Sequence, residues 1–253
     1  MLKFFRNIRQ RLLSDGKNSK YLKYAFGEIF LVVIGILIAL QINNWNERNN
    51  QRNKLNTYLT SLVVELNSNV RRLDRAANQA KIHLEQSVDV IIQLNGDSAK
   101  DISSSDFNEF AKVIGPFFKI ELYSAVYKDL INSGVLENLK DEDLKRNIFR
   151  IERYLENYDE GFMNARQIWD DFLLPYYHEH KNVSAVFDSI AHVALPDLAF
   201  ENDMEAFVNN RRFSNILVSR ARQITNLNQT SEAIKSNFEE LITEINEYLL
   251  KHD

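Results

Sequence analysis

A single carboxylate, Glu28, sits inside an otherwise apolar run, YAFGEIFLVVIGILIALQI at residues 24–42. An ionised side chain at a bilayer centre costs about 2.5–3.5 kcal/mol, so such a residue is rarely idle. Glu28 lies only about four residues into the run, within reach of an interface or of Lys20 or Lys23. Gly35 and Ala39 form a small-xxx-small pair, and Glu28 precedes Gly35 by seven residues, so all three share one helical face. That face suits a helix–helix contact in the membrane. Proton or ion transfer would need partner chains, because one carboxylate on one helix builds no pathway.

Other candidates for chemistry are weaker. His178 and His180 are two apart, which places them on one side of a strand but on different sides of a helix. His83, His192 and His252 supply no third metal ligand at a recognisable spacing. The acids at Asp141-Glu142-Asp143, Asp170-Asp171 and Glu239-Glu240 fall on expected helices, as caps and solvated faces. Glycine-rich phosphate loops, G-x-S-x-G elbows and nucleophiles with a paired base are missing from the sequence. The chain is therefore expected to be non-enzymatic, with no catalytic residue, metal or cofactor.

The run at 24–42 is long enough for a hydrocarbon core of about 30 Å. Residues 1–23 carry seven Lys and Arg against Asp15 alone, a balance of +6; the formal net charge of -4 leaves -10 for the rest. A cationic flank beside a span stays on the cytoplasmic side. The expected organisation is a basic cytoplasmic amphipathic segment at 1–23, a transmembrane helix at 24–42 and a periplasmic helical domain at 43–253, in a bacterial inner membrane. Membrane lipid is the expected partner of the basic arm, and the anionic body argues against nucleic acid. A cleaved signal peptide fits less well, because Ala39-Leu40-Gln41 closes the run without a small-x-small site. The sequence has no cysteine, so an exported domain must be held by its core alone.

Phe4-Phe5-Arg6, Ser19-Lys20-Tyr21, Gly27-Glu28-Ile29 and the run Val33–Asn46 (VIGILIALQINNWN) together resemble the N-terminal signature of a family of uncharacterised, single-pass, membrane-anchored proteins of Bacteroidota. Ala125–Gly134, AVYKDLINSG, is similar to that family's middle region. The resemblance implies an inner-membrane anchor in a diderm bacterium, and it carries over no catalytic residue.

Beyond the span, Asn46, Asn49, Asn53 and Asn56 recur at 3-4-3 spacing and share one helical face. They make either a solvated juxtamembrane face or polar layers of an oligomeric coiled coil, where a buried Asn fixes register. Leu55, Leu59, Leu62, Leu66, Val70, Leu73, Ala77, Ala80, Leu84, Val88 and Ile91 then mark one long amphipathic helix continuous with the span, ended by a left-handed cap at Gly96. Further helices are expected from about 105, over about 119–132 with a stop at Ser133-Gly134, and from an Asp141 cap towards Trp169 and Leu173, loosened at Gly161 and ended or kinked at Pro175. Residues 176–202 read as the least regular stretch, a loop and one or two short helices with a turn at Leu195-Pro196-Asp197. Asp203 is expected to cap a last helix to about Leu250, whose core positions Ile224, Leu227, Ser231, Ile234, Phe238, Leu241, Ile245 and Tyr248 alternate by three and four. The fold class is all-α: an antiparallel bundle or stalk, with shorter helices forming a head. Phe117, Phe118, Tyr123, Tyr127, Phe149, Tyr154, Tyr158, Phe162, Trp169 and Phe172 are expected to be mostly core, the alternative being an aromatic ligand pocket.

Two functional readings follow. One is a membrane-anchored structural or interaction protein, a homo-oligomer or the accessory subunit of another membrane protein. The other is an exported ligand-sensing domain that relays through a partner.

Overall fold

The computed structural model describes residues 18–115, 118–182 and 201–252, with the side chains of residues 18–25, 105, 112 and 113 outside the description. The N-terminal amphipathic segment, its basic charges, Phe117 and the turn at Leu195-Pro196-Asp197 lie outside the described residues. Every regular element among the described residues is helical. Helix α1 runs Asn18–Asn95 without interruption. After a 3-10 turn (Asp97–Asp101) come α2 (Ser104–Val113), α3 (Ala125–Asn132), a second 3-10 turn (Val135–Asn138) and α4 (Glu142–Ile168). A π-helical turn (Trp169–Leu173) leads into α5 (Leu174–His180), and a 3-10 turn (Met204–Ala206) precedes α6 (Arg211–His252).

The chain divides into two compact units, Met1–Asn56 and Thr57–Asp253. In the first, α1 is the element among the described residues, and its apolar side chains from Phe26 to Ile42 are exposed. In the second, α1, α4 and α6 pack as a three-helix bundle. Lys235 Nζ donates to Asp74 Oδ1 at 2.7 Å and Ser214 Oγ donates to Asn95 Oδ1 at 2.8 Å, so α6 runs antiparallel to α1. Asn147 Nδ2 donates to Glu244 Oε2 at 2.8 Å, and Gly161 lies against Leu227, so α6 is antiparallel to α4 as well. Helices α1 and α4 are therefore parallel, and the chain between them must return along the bundle. Residues 118–124 do this in a non-helical, extended run.

The seams follow a seven-residue repeat. On α6 the buried positions are Phe213, Leu217, Arg220, Ile224, Leu227, Ser231, Ile234, Phe238, Leu241, Ile245 and Tyr248, an unbroken 4-3 alternation. This places every core residue expected on that helix and adds Phe213, Leu217 and Arg220. On α1 the seam keeps the same alternation: Leu59, Leu62, Leu66, Asn69, Leu73, Ala76, Ala80, half-buried His83, Ser87, Val90 and Leu94. Val70, Leu84 and Ile91 are only half-buried, and Val88 is exposed. The 3.6-residue reading skipped the polar residues Asn69 and Ser87 and so drifted off the seam.

Several boundaries differ from the sequence reading. Gly96 is extended rather than left-handed, at φ -81° and ψ 175°. Ser103, with Asp106 three residues on, forms the capping box that opens α2. The helix expected over about 119–132 begins only at Ala125. Gly134, at φ 68°, does end that region in a left-handed turn, and Asp141 caps α4 by accepting from Asp143 N and Leu144 N. Gly161 does not interrupt α4. It faces α6, where an added Cβ would come within 3.4 Å of Leu227 Cδ1, an ordinary packing distance. Nor does Pro175 end the helix. It enters the first turn of α5, just after a π turn in which Leu174 N bonds to Trp169 O, and proline's missing N–H is tolerated at such a position. Asp203 is not the cap of α6. Asn210 is, accepting from Arg212 N at 3.0 Å and Phe213 N at 3.2 Å.

Candidate functional site

The sequence points first to the apolar part of α1. Glu28 is half-buried, and Gly35 and Ala39 are exposed. A Cβ built on Gly35 meets nothing within 4 Å, so no contact among the described residues requires glycine there. This helix is long and apolar enough to cross a membrane, by length and composition. Asn46 and Asn53 are exposed, and Asn49 and Asn56 half-exposed. Asn49 Oδ1 accepts from Arg52 at 3.1 Å. The asparagine stripe is thus an open face in one copy, continuous on α1 with the Glu28/Gly35/Ala39 stretch.

A second polar constellation escaped the sequence reading. Glu65, Asn69 and Arg72 follow one another along α1 at spacings of four and three, and all face the returning segment. Glu65 is buried, and its carboxylate accepts from Val126 N at 2.8 Å and Tyr127 N at 3.0 Å. Ser124, at the N-cap position of α3, makes no side-chain cap bond. A carboxylate from another helix caps α3 instead, where the dipole favours a negative charge. Asn69 pairs with the backbone of Tyr123, donating to its carbonyl and accepting from its N–H, both at 2.7 Å. Arg72 donates to Glu121 O at 2.9 Å and to the Tyr123 hydroxyl, and its guanidinium lies 3.8 Å from the Tyr123 ring centroid.

From the other side, Lys119 bridges to Asp159 on α4 at 3.0 Å and to Glu121 at 3.4 Å. Tyr158 is hydrogen-bonded to the Ile120 backbone, and burial pushes its phenol up to about 12. The irregular segment therefore meets its backbone requirements through side chains of α1 and α4. Glu65 and Arg72 look solvated in sequence because their partners are 49 to 62 residues away.

At the α1 C-terminal end of the bundle the core is aromatic. Phe107 stacks on Phe207 at 4.0 Å between centroids, Tyr176 stacks on Phe213 at 5.5 Å, and Trp169 meets Tyr177 edge-on at 5.9 Å. Of the nine described aromatics among those expected here, Trp169 alone joins this group. Tyr127, Tyr158 and Phe162 are buried elsewhere in the bundle, while Phe118, Tyr123, Phe149 and Phe172 are exposed. Arg220 is wholly buried beside the aromatic core. It donates to Gly115 O and lies 5.9 Å from the Trp169 ring, and burial draws its pKa down to about 10, so it remains charged near neutral pH. His178 is exposed, while His180 Nδ1 lies 3.2 Å from Asp203 Oδ2. Among the described residues no three His, Asp or Glu side chains gather as a metal site.

No curated protein and no solved structure matches the chain. Residues 28–148 match the model of a family of unknown function, DUF6090, a stretch that holds the apolar helix, the Glu65–Asn69–Arg72 ladder, the segment it binds and the start of α4. Over that region the chain is similar to this uncharacterised family.

Proposed function

We propose that the protein is a non-enzymatic, membrane-anchored interaction protein that self-associates or serves as an accessory subunit of a larger inner-membrane complex. The observation that carries this reading is the exposed apolar stretch Phe26–Ile42, with Glu28, Gly35 and Ala39 on one face. Apolar side chains exposed over this length suit lipid, and a small-residue face lets a second helix approach closely. The N-terminus lies in the cytoplasm and residues 43–253 in the periplasm, from the basic flank of the span. The asparagine stripe extends the contact beyond the bilayer.

The test is cysteine cross-linking at Gly35 in native membranes, alongside the size of the complex in mild detergent. Dimers or larger species should form, and Gly35→Leu and Glu28→Gln should weaken them. A monomer without partners, indifferent to both substitutions, would remove the basis of the proposal. The ligand-sensing alternative draws little support from the head, whose rings occupy its interior by packing on one another.

A further inference from the structure

The seam of α4 keeps its 4-3 alternation through Ile148, Ile151, Leu155, Tyr158, Phe162, Ala165 and Trp169. The next position would be Phe172. Instead the π turn inserts one residue, Leu173 takes the buried place, and Phe172 is left 52% exposed. Single-turn bulges of this kind recur at functional sites. Here the bulge makes Phe172 one wall of an open groove of about 700 Å3 whose other wall is α6, a volume in the range of small-molecule sites. The groove lies on the surface, outside the packed rings of the head.

Charge is unevenly placed along it. The Asn147–Glu244 bond and the Gly161–Leu227 contact fix the register of α4 on α6. By helical rise Phe172 is level with about residues 216–219 of α6, so Ile168, Phe172, Pro175 and Ile216 form an apolar middle. Arg211 and Arg212 stand at one end. Asp171 is level with about residues 217–220, roughly 8–14 Å along the axis from the arginines, and accepts from Gln167 at 3.0 Å. The nearby carboxylates Asp170 and Asp203 pair with Arg166 and His180, and neither Arg211 nor Arg212 makes an ion pair among the described residues. The Arg212 guanidinium lies 5.1 Å from the Tyr176 ring centroid, and that buried ring is itself held by the bond from its hydroxyl to Ala206 O at 2.7 Å. One of the two cations is thereby held at the groove by its contact with the ring.

We infer that this groove binds a single-chain amphiphile with an anionic head, a medium-chain carboxylate, its head at Arg211 and Arg212 and its tail along Ile216 and Phe172. Guanidinium groups take carboxylates through paired, charge-assisted hydrogen bonds. Cations at one end and an apolar middle suit one head and one tail, whereas an acidic helix would call for cations spread along the groove. Asp171 repels a second carboxylate at the tail end, which sets the direction of the ligand and selects against dicarboxylates. The site does not depend on the self-association proposed above.

Decanoate is the probe, titrated calorimetrically into the full chain in lipid nanodiscs, with empty nanodiscs subtracted to remove partition into the bilayer. One saturable site per chain should appear, and decanol, of the same length without the charge, should bind about tenfold more weakly or worse. Arg211→Gln with Arg212→Gln should weaken decanoate by about tenfold or more and leave decanol unchanged. Phe172→Ala should weaken both by about three- to tenfold, and decanedioate should bind less tightly than decanoate. The substituted side chains are exposed, so thermal melting followed by circular dichroism should stay near that of the parent. Ser219→Trp, which fills the groove, should give the same loss by a second route. A chain with no saturable site, decanol binding as tightly as decanoate, or an arginine variant that binds decanoate like the parent would overturn the assignment. Binding of an acidic helical peptide where decanoate finds no site would overturn it too, and would give the groove to a protein partner.

Discussion

Helix α1 carries two glutamates among apolar neighbours, and their surroundings are opposite. Glu28 lies in the stretch where apolar side chains are exposed, Glu65 in the stretch where polar side chains are buried. Glu65 has its acceptor capacity met by the N–H groups of Val126 and Tyr127. The residue type is identical; what differs is whether a segment distant in sequence brings backbone donors to it. Burial on this helix follows partners rather than hydropathy. Inside the bundle Asn69 and Ser87 hold seam positions, while Leu37 and Ile38 are half or more exposed.

The contrast is tested most strongly with leucines. Leu73→Ala deletes a wholly buried side chain and should cost the bundle about 2–5 kcal/mol. Leu37→Ala should leave bundle stability within about 0.5 kcal/mol, because no described core includes it. Urea unfolding of the full chain in detergent micelles, followed by circular dichroism, measures both. Equal losses would show that the two stretches of α1 unfold as one and would erase the distinction.

The glutamates come next. Glu65→Ala strips the cap from α3 and leaves two amides without their acceptor, a loss of about 2–4 kcal/mol. Glu65→Gln keeps one carbonyl acceptor and should lose about half as much. Glu28→Gln should not move the unfolding midpoint, yet should weaken the membrane cross-link. Amide exchange gives a sharper readout: Val126 and Tyr127 should lose protection in Glu65→Ala before the α4–α6 seam does.

These residues mark what the sequence could and could not reveal. The all-α class, the last helix with its eight seam positions, the Asp141 cap and the Gly134 turn were all legible, because each rests on spacing or on a local backbone preference. The ladder was not. A glutamate, an asparagine and an arginine on a long helix look solvated unless the chain 49 to 62 residues on is known to return along it. The π turn was hidden for a related reason. Pro175 argues for a break, and only two successive four-residue steps, Ala165–Trp169–Leu173, betray the inserted residue. The face of Glu28, Gly35 and Ala39 was legible as a pattern, because it rests on spacing along one helix.

Polar seam residues can be separated by the reach of their bonds. Asn69→Leu would perfect the apolar repeat, yet should destabilise by about 1–3 kcal/mol, since it orphans the Tyr123 N–H and carbonyl. Ser87 bonds only to His83 O, one turn back, at 2.6 Å. Ser87→Ala should therefore stay within about 0.5 kcal/mol of the parent, because the carbonyl keeps its helical bond. If Asn69→Leu proved stabilising, the repeat rather than the ladder would be the stronger determinant of the seam.

The smallest effect is expected at Lys235, which joins α6 to α1 through Asp74 at 2.7 Å while remaining partly exposed. Its hydrogen bond to Asp74 raises its pKa above the ordinary 10.5, outweighing desolvation. A lysine whose folded pKa is raised binds its proton more tightly in the folded state. Its contribution is therefore complete below about pH 10.5 and falls away as pH rises through the folded value. For an exposed pair this amounts to about 0–1 kcal/mol. Tyr127 and Tyr158 also have raised pKa values, from burial, so the whole protein loses stability in the same alkaline range. A double-mutant cycle of Lys235→Met and Asp74→Asn, run at pH 8 and again above pH 11, removes that shared background. The coupling should be small and favourable at pH 8 and vanish at the higher pH. A coupling that survives there would mean the α1–α6 register is held at this point by packing alone, and that the polar contacts between these helices report the register without setting it.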